Sequence, residues 1–215
     1  MGIPVLIFGK SGSGKSRSLK NFSGDEIVLV NVLGKPLPFK GNFKYITKTD
    51  DPATIMSGLS KLPPGVKTVV VDDFGYIATN MFMKGHGSGD QFKLYNQIGD
   101  AVWNFVNFIT GPAVPADVIV YLVMHEDVAD DGSTKLRTIG KLLDQKVCIE
   151  GMVTVVLHSI IKGDRHVFLT NSDGMDIAKS PEEMFPDREI DNDLKVVDTA
   201  IREYWGISTK EATKK

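Results

Sequence analysis

Short apolar runs recur along the chain at Val5–Phe8, Ile27–Val30, Val69–Val71 and Val118–Val123. Each is apolar at consecutive rather than alternating positions, which predicts strands buried on both faces of a parallel sheet. Helical signals lie between them. Asp51-Pro52 offers an N-cap followed by proline at the first helical position, and predicts a helix over Ala53–Leu62. The stretch Phe92–Ile109 sets Tyr95, Ile98, Val102, Phe105 and Phe108 on one helical face. After about Met152 the pattern changes. Val153–Ile161 and His166–Thr170 are β-rich, and Lys162-Gly163-Asp164-Arg165 between them is a tight hairpin signal. A last helix is predicted from Asp193 to Trp205, with Leu194, Val197, Ile201 and Tyr204 inward. Strands alternating with helices predict an α/β fold: a mostly parallel sheet with helices on both faces and a C-terminal antiparallel hairpin. It reads as one domain over residues 1–207, with a polar tail at 208–215.

Composition narrows the function classes. With 42% hydrophobic and 24% charged residues in 215, the chain can bury a substantial core and is not a disordered segment. A formal net charge of -2 gives no global attraction for nucleic acid, so any such contact needs a local basic patch. The single cysteine, Cys148, excludes an intrachain disulfide and fits a reducing compartment; its apolar surroundings predict a core residue rather than a nucleophile. No apolar stretch approaches the ~20 residues that span a bilayer, and the first apolar run leads straight into a glycine-rich segment rather than a leader. The expectation is a cytoplasmic protein with no membrane partner.

The glycine-rich segment carries the strongest chemical signal. Gly9-Lys10-Ser11-Gly12-Ser13-Gly14-Lys15-Ser16 matches G-x-x-x-x-G-K-[ST] at every fixed position. Glycines let the loop curl so that backbone N–H groups face phosphate oxygens, and a helix starting near Lys15 would add its positive end. Lys15 is expected on the β- and γ-phosphates and the Ser16 hydroxyl on magnesium, the ligand being ATP with Mg2+. By chance the four fixed positions arise in a chain this long on the order of one time in a hundred, and a hydrophobic strand precedes the loop as the motif requires.

Two further elements belong with it. Thr68-Val69-Val70-Val71-Asp72-Asp73 is a buried strand ending in two carboxylates, the form of a Walker B. Magnesium takes oxygen ligands and keeps several waters, so Asp72 beside Ser16 suffices, leaving Asp73 to polarise water. On its own the pair would read as a strand cap. His125-Glu126 follows the run Val118–Met124. Ligands bind at the carboxyl ends of such strands, so His125 is a candidate γ-phosphate sensor and Glu126 a candidate for orienting the attacking water. The plainer alternative is a strand-end histidine and a solvated glutamate.

Gly9–Ser16, Gly34-Lys35-Pro36-Leu37-Pro38-Phe39 after the second strand, Val69–Asp73, His125-Glu126 and Asp193-Leu194 together resemble the phage AAA-type nucleotide-binding proteins. That family includes RecA-like single-strand annealing recombinases. The resemblance implies a RecA-like core, ATP use and a role in phage DNA recombination or replication, in the host cytoplasm. It also implies DNA-facing loops after the Walker B and sensor strands. These are Met81–Gln91, with Lys84 and His86, and Val128–Lys146, with Lys135, Arg137, Lys141 and Lys146. Phe82 or Phe92 would stack on bases of single-stranded DNA. Lys162 and Arg165 on the hairpin are candidates for a finger reaching a neighbour's γ-phosphate in a ring or filament. Where RecA-like enzymes carry a water-activating glutamate after the second strand, this chain reads Asn31-Val32-Leu33, so hydrolysis would be slow or would depend on Asp73 or Glu126. Ordinary surface lysines, a nucleotide kinase, or an ATP-gated module without turnover remain open as alternatives.

Overall fold

A computed structural model describes residues 1–87, 89–140 and 147–207. Lys141, Lys146 and the tail at 208–215 lie outside the described residues. The strands are β1 (Ile3–Gly9), β2 (Ile27–Asn31), β3 (Tyr45–Thr47), β4 (Thr68–Asp72), β5 (Ile119–Val128), β6 (Thr134–Leu136), β7 (Val155–Lys162), β8 (Arg165–Leu169) and β9 (Glu189–Asp191). The helices are α1 (Pro52–Leu59), α2 (Gly75–Gly85), α3 (Gln91–Ile109) and α4 (Leu194–Tyr204), with 3-10 turns at Ser16–Asn21 and Glu150–Met152.

The sheet runs β3-β2-β4-β5-β1-β7-β8-β9, with β6 paired to β5 at its far end. From β3 to β7 every neighbouring pair is parallel, while β7–β8, β8–β9 and β5–β6 are antiparallel. Alternation along each strand divides the core. Leu6, Phe8, Val69, Val71, Val120 and Leu122 pack under α1, α2 and α3, whereas Val5, Ile7, Val70, Tyr121 and Val123 pack under the first 3-10 turn and α4. Both faces of the central strands are therefore apolar, as consecutive apolar positions require.

Asp51, Asp90 and Asp193 each accept backbone N–H bonds as N-caps of α1, α3 and α4, so those three starts follow from local chemistry. Several boundaries differ from expectation. Helix α1 stops at Leu59 rather than Leu62, because Pro63 and Pro64 follow and the residue before a proline is driven from helical geometry. Met81–Gln91 is not a loop throughout: α2 continues to Gly85, with Ile77 and Ala78 buried. After Lys15 the chain forms only a six-residue 3-10 turn, in which Ser18 Oγ donates to the Lys15 carbonyl at 2.6 Å and competes with α-helical bonding. The positive helix end expected there is accordingly slight.

On α4, Leu194, Val197 and Ile201 are buried as expected, but Tyr204 is largely exposed and the buried neighbours are Asp198 and Arg202. Cys148 is exposed rather than core, since Val147 and Ile149 on either side take the inward positions. Partial desolvation and the nearby Glu150 push the Cys148 thiol up, which agrees with an unreactive thiol. Among the described residues no helix is long and apolar enough to cross a membrane.

Candidate functional site

The parallel strands deliver their carboxyl ends to one edge. In register Gly9 lies beside His125 and Asn31 beside Asp72, and Phe74 N–H bonds to the Val123 carbonyl at 2.8 Å. Ligands of open α/β sheets bind at this edge. A cavity of about 380 Å³ opens there, lined by the glycine-rich loop (Ser11, Gly12, Gly14, Lys15, Ser16), Arg17, Lys35, Pro36, Pro38, Asp72, Asp73, His125 and His166.

Gly9, Gly12 and Gly14 all adopt positive φ, and at two of them a side chain would also collide. Gly9 has φ 156 and a Cβ there would lie 2.3 Å from the Ser159 carbonyl; Gly14 has φ 110 and its Cβ would lie 2.8 Å from His166 Nδ1. The Ser13 carbonyl between them is held by His166 Nδ1 at 2.8 Å and by Ser159 Oγ at 3.0 Å. A carbonyl only accepts, so His166 carries its proton on Nδ1. Asn192 Nδ2 supports Ser159 Oγ at 3.3 Å. The hairpin β7–β8 and the turn after β9 thus brace the loop from behind, and none of these three residues stood out in the sequence.

Lys15 is not surface-borne. It is 7% exposed and its Nζ folds back to donate to the Gly9 and Lys10 carbonyls, each at 2.7 Å. Burial pulls its ammonium down to about 8, only partly offset by Asp73 and Asp72. The folded protein therefore binds fewer protons than the unfolded chain between about 8 and the ordinary lysine value of 10.5. The lysine lowers stability below that window, and its cost fades as pH rises through it.

Ser16 Oγ donates to Asp72, with Oδ1 at 3.0 Å and Oδ2 at 2.9 Å. Burial and the adjacent Asp73 charge push the Asp72 carboxyl up, and the Ser16 hydrogen bond offsets this only in part. A buried carboxylate held above its ordinary range, beside a hydroxyl, is a donor pair of hard oxygens that a cation would relieve. Among the described residues no group of three or more His, Cys, Asp or Glu gathers around a metal position. A magnesium ion held here would take Ser16 and Asp72, with its remaining positions filled by water and ligand oxygens.

Asp73 sits at φ 63, a left-handed backbone unusual outside glycine. Its carboxylate meets Lys35 Nζ at 2.6 Å and His125 Nε2 at 3.4 Å. Burial works against its ionisation, but the close His125 and Lys35 contacts and the Lys35 charge outweigh that and hold the carboxyl below its ordinary range.

The other candidates separate. Glu126 does not line the cavity. Its carboxylate is buried against His158 Nε2 at 2.8 Å, while His158 Nδ1 meets Asp176 at 3.1 Å and its ring stacks on Phe8. Lys10 reaches Glu126 only at 4.0 Å. Glu126 is thus placed to fix the strand edge under the loop rather than to touch a ligand. His158, a polar residue inside the apolar run Val155–Ile161, was the sequence signal of this pairing that went unread.

Lys84 pairs with Asp50 at 2.6 Å on α2, and Phe82 packs its ring on His86 and Tyr95, so it is not presented as a free stacking surface. Phe92 is 61% exposed. Lys135 lies on β6 opposite Asp127. Arg137 lines a second cavity of about 180 Å³ with Tyr76, Thr79 and His125, so it stands beside the first site. Lys162 and Arg165 pair within the chain with Glu189 and Asp191. No protein-family model matches this chain, and no curated protein sequence matches it.

Proposed function

We propose that the chain is an ATP-binding protein with a RecA-like core that hydrolyses ATP and acts on single-stranded DNA in recombination or replication. The observation that carries the nucleotide reading is the convergence, in one cavity at the strand ends, of the glycine-dependent loop, Lys15 and the Ser16–Asp72 pair. Strand β5 lies between the loop strand β1 and the carboxylate strand β4, so His125 stands between loop and carboxylates, which supports reading it as the γ-phosphate sensor. The hairpin β7–β8 extending the sheet beyond β1 also favours the RecA-like reading over a nucleotide kinase.

Magnesium bound with the nucleotide would neutralise charge on the β- and γ-phosphates. Lys15 exchanges its two loop carbonyls for phosphate oxygens. The loop N–H groups hold the phosphate chain, and Asp73 is the carboxylate placed to orient water and accept its proton. His125 stands at the same carboxylate and contacts the terminal phosphate. The DNA assignment rests on the family resemblance, with Lys135 and Arg137 on the β5–β6 hairpin as the local cations nearest the site.

Because Lys15 must be charged to hold phosphate, binding draws in a proton once the free protein has lost it. Above pH 8, where the phosphates of metal-free ATP are already fully ionised, its affinity is expected to fall by up to about tenfold per pH unit. Titration calorimetry in buffers of differing ionisation enthalpy measures that uptake directly; no uptake near pH 9 would contradict the assignment of Lys15.

The function itself is tested by phosphate release from ATP with and without a single-stranded oligonucleotide, alongside transfer to nucleoside monophosphates. Stimulated release is expected, and Asp72→Asn should abolish it while leaving the ligand-free fold as stable or more so, since that change removes a buried charge. Phosphate transfer to a nucleotide instead would establish a kinase. Binding without turnover would establish an ATP-gated module.

A further inference from the structure

Asn31 stands where the resemblance expects a water-activating glutamate, and the structure gives it another task. It is 2% exposed, beside Asp72 in register, and its Nδ2 donates to the Lys35 carbonyl at 2.6 Å. The Gly34 N–H closes the turn onto the Asn31 carbonyl at 3.2 Å, and Gly34 adopts φ 67, which a side chain would strain. Pro36 follows and restricts Lys35 to extended backbone. A buried side chain, a glycine turn and a proline therefore fix the backbone of one lysine at the cavity wall.

The tip of that lysine is less constrained. The Lys35 side chain is 56% exposed, whereas its partner carboxylate on Asp73 is 5% exposed, and the two meet at 2.6 Å. Lys35 and Pro36 share the cavity lining with Lys15, Ser16 and His125. With Lys35 on one oxygen and His125 on the other, both Asp73 oxygens face a partner in the ligand-free protein. The ammonium is the mobile, half-exposed member of this pair, and a terminal phosphate offers it more charge than Asp73 does, with three acceptor oxygens.

We propose that Lys35 is the residue that distinguishes nucleoside triphosphate from diphosphate: its ammonium leaves Asp73 for the terminal phosphate, and the same movement releases Asp73 toward the attacking water. This rests on the nucleotide reading of the cavity. It assigns to this chain a cation from the segment after β2, in the place where the resembling enzymes supply a carboxylate. The ligand-free protein then keeps its water-orienting carboxylate covered until a terminal phosphate arrives. A diphosphate occupies the loop without drawing Lys35 away.

The test compares unmodified protein with Lys35→Met and Lys35→Arg, measuring dissociation constants for ADP and for a non-hydrolysable ATP analogue with magnesium. The unmodified protein is expected to prefer the triphosphate. Lys35→Met should weaken the analogue by roughly tenfold or more while ADP changes less than about twofold, and Lys35→Arg should retain most of the preference. Equal weakening of both ligands, or an unchanged preference in Lys35→Met, would overturn the proposal while leaving the nucleotide site intact. Failure of the unmodified protein to bind either ligand would overturn both. Lys35→Met leaves the buried Asp73 carboxylate with His125 alone and is expected to melt somewhat lower, so the ADP constant, which a folding defect would also weaken, separates a lost preference from a lost fold.

Discussion

Lys15→Ala is expected to abolish ATP turnover and to weaken nucleotide binding by about 2–5 kcal/mol, roughly 30- to 4,000-fold. The size follows from position. Lys15 is buried, and its ammonium is already taken from water and held by two loop carbonyls at 2.7 Å. Phosphate would meet a cation whose desolvation is complete, at a site where the loop glycines exclude competing side chains. Truncation leaves the loop N–H groups to hold phosphate with no positive charge at the centre. The Gly9 and Lys10 carbonyls also lose their donor, so a modest loss of stability is expected, limited because water can replace the ammonium in a cavity of this size. Equilibrium binding and unfolding should be measured on the same preparation. A folded variant with unchanged affinity would end the phosphate-loop assignment, whatever the motif says.

Asp198→Ala is expected to cost about 3–5 kcal/mol of folding stability, the range for breaking a buried ion pair from one side. Asp198 Oδ1 accepts from Thr68 Oγ1 and Tyr121 OH, both at 3.0 Å, and Oδ2 accepts from Arg202 Nε at 2.6 Å. Arg202 also donates to the Asp117 and Lys67 carbonyls at 2.9 Å. Burial and the Asp198 charge push the Tyr121 phenol well up, so Tyr121 serves as a donor. Together these bonds tie α4 to the amino ends of β4 and β5. Without the carboxylate, a buried guanidinium loses its counter-charge and a buried phenol loses its acceptor. For a domain of this length the melting temperature should drop by roughly 6–20 °C. Nucleotide affinity of the folded fraction should not change, because the network lies at the sheet edge away from the loop. A loss below about 1 kcal/mol would mean that water reaches the pair. Replacing Asp198 and Arg202 together by leucine and methionine should recover part of the loss.

The sequence by itself determined the features that depend on neighbours a few positions away. The loop at Gly9–Ser16, the apolar runs that became β1, β2, β4 and β5, the hairpin turn at Gly163-Asp164, and the helix starts at Asp51 and Asp193 are all of this kind. Strand and helix periods, turn residues and caps act within a window of a few residues, so they can be read without knowing what packs on what. Only the tertiary structure decided which strands are neighbours, and with that which polar groups meet. The order β4-β5-β1 brings His125 to Asp73, while the alternation of β5 turns Glu126 into the sheet face occupied by His158. His166 reaches Ser13 across 153 residues of chain, and Arg202 reaches Thr68 across 134. Helix α4 looked like a simple amphipathic stripe, and its buried ion pair was invisible because charged residues are assigned outward unless a partner is known. Lys35 was visible as a letter in a motif, but its pairing with Asp73 depends on where β2 lies beside β4. Strand pairing is set by the burial of whole faces against one another, and no local window contains that information.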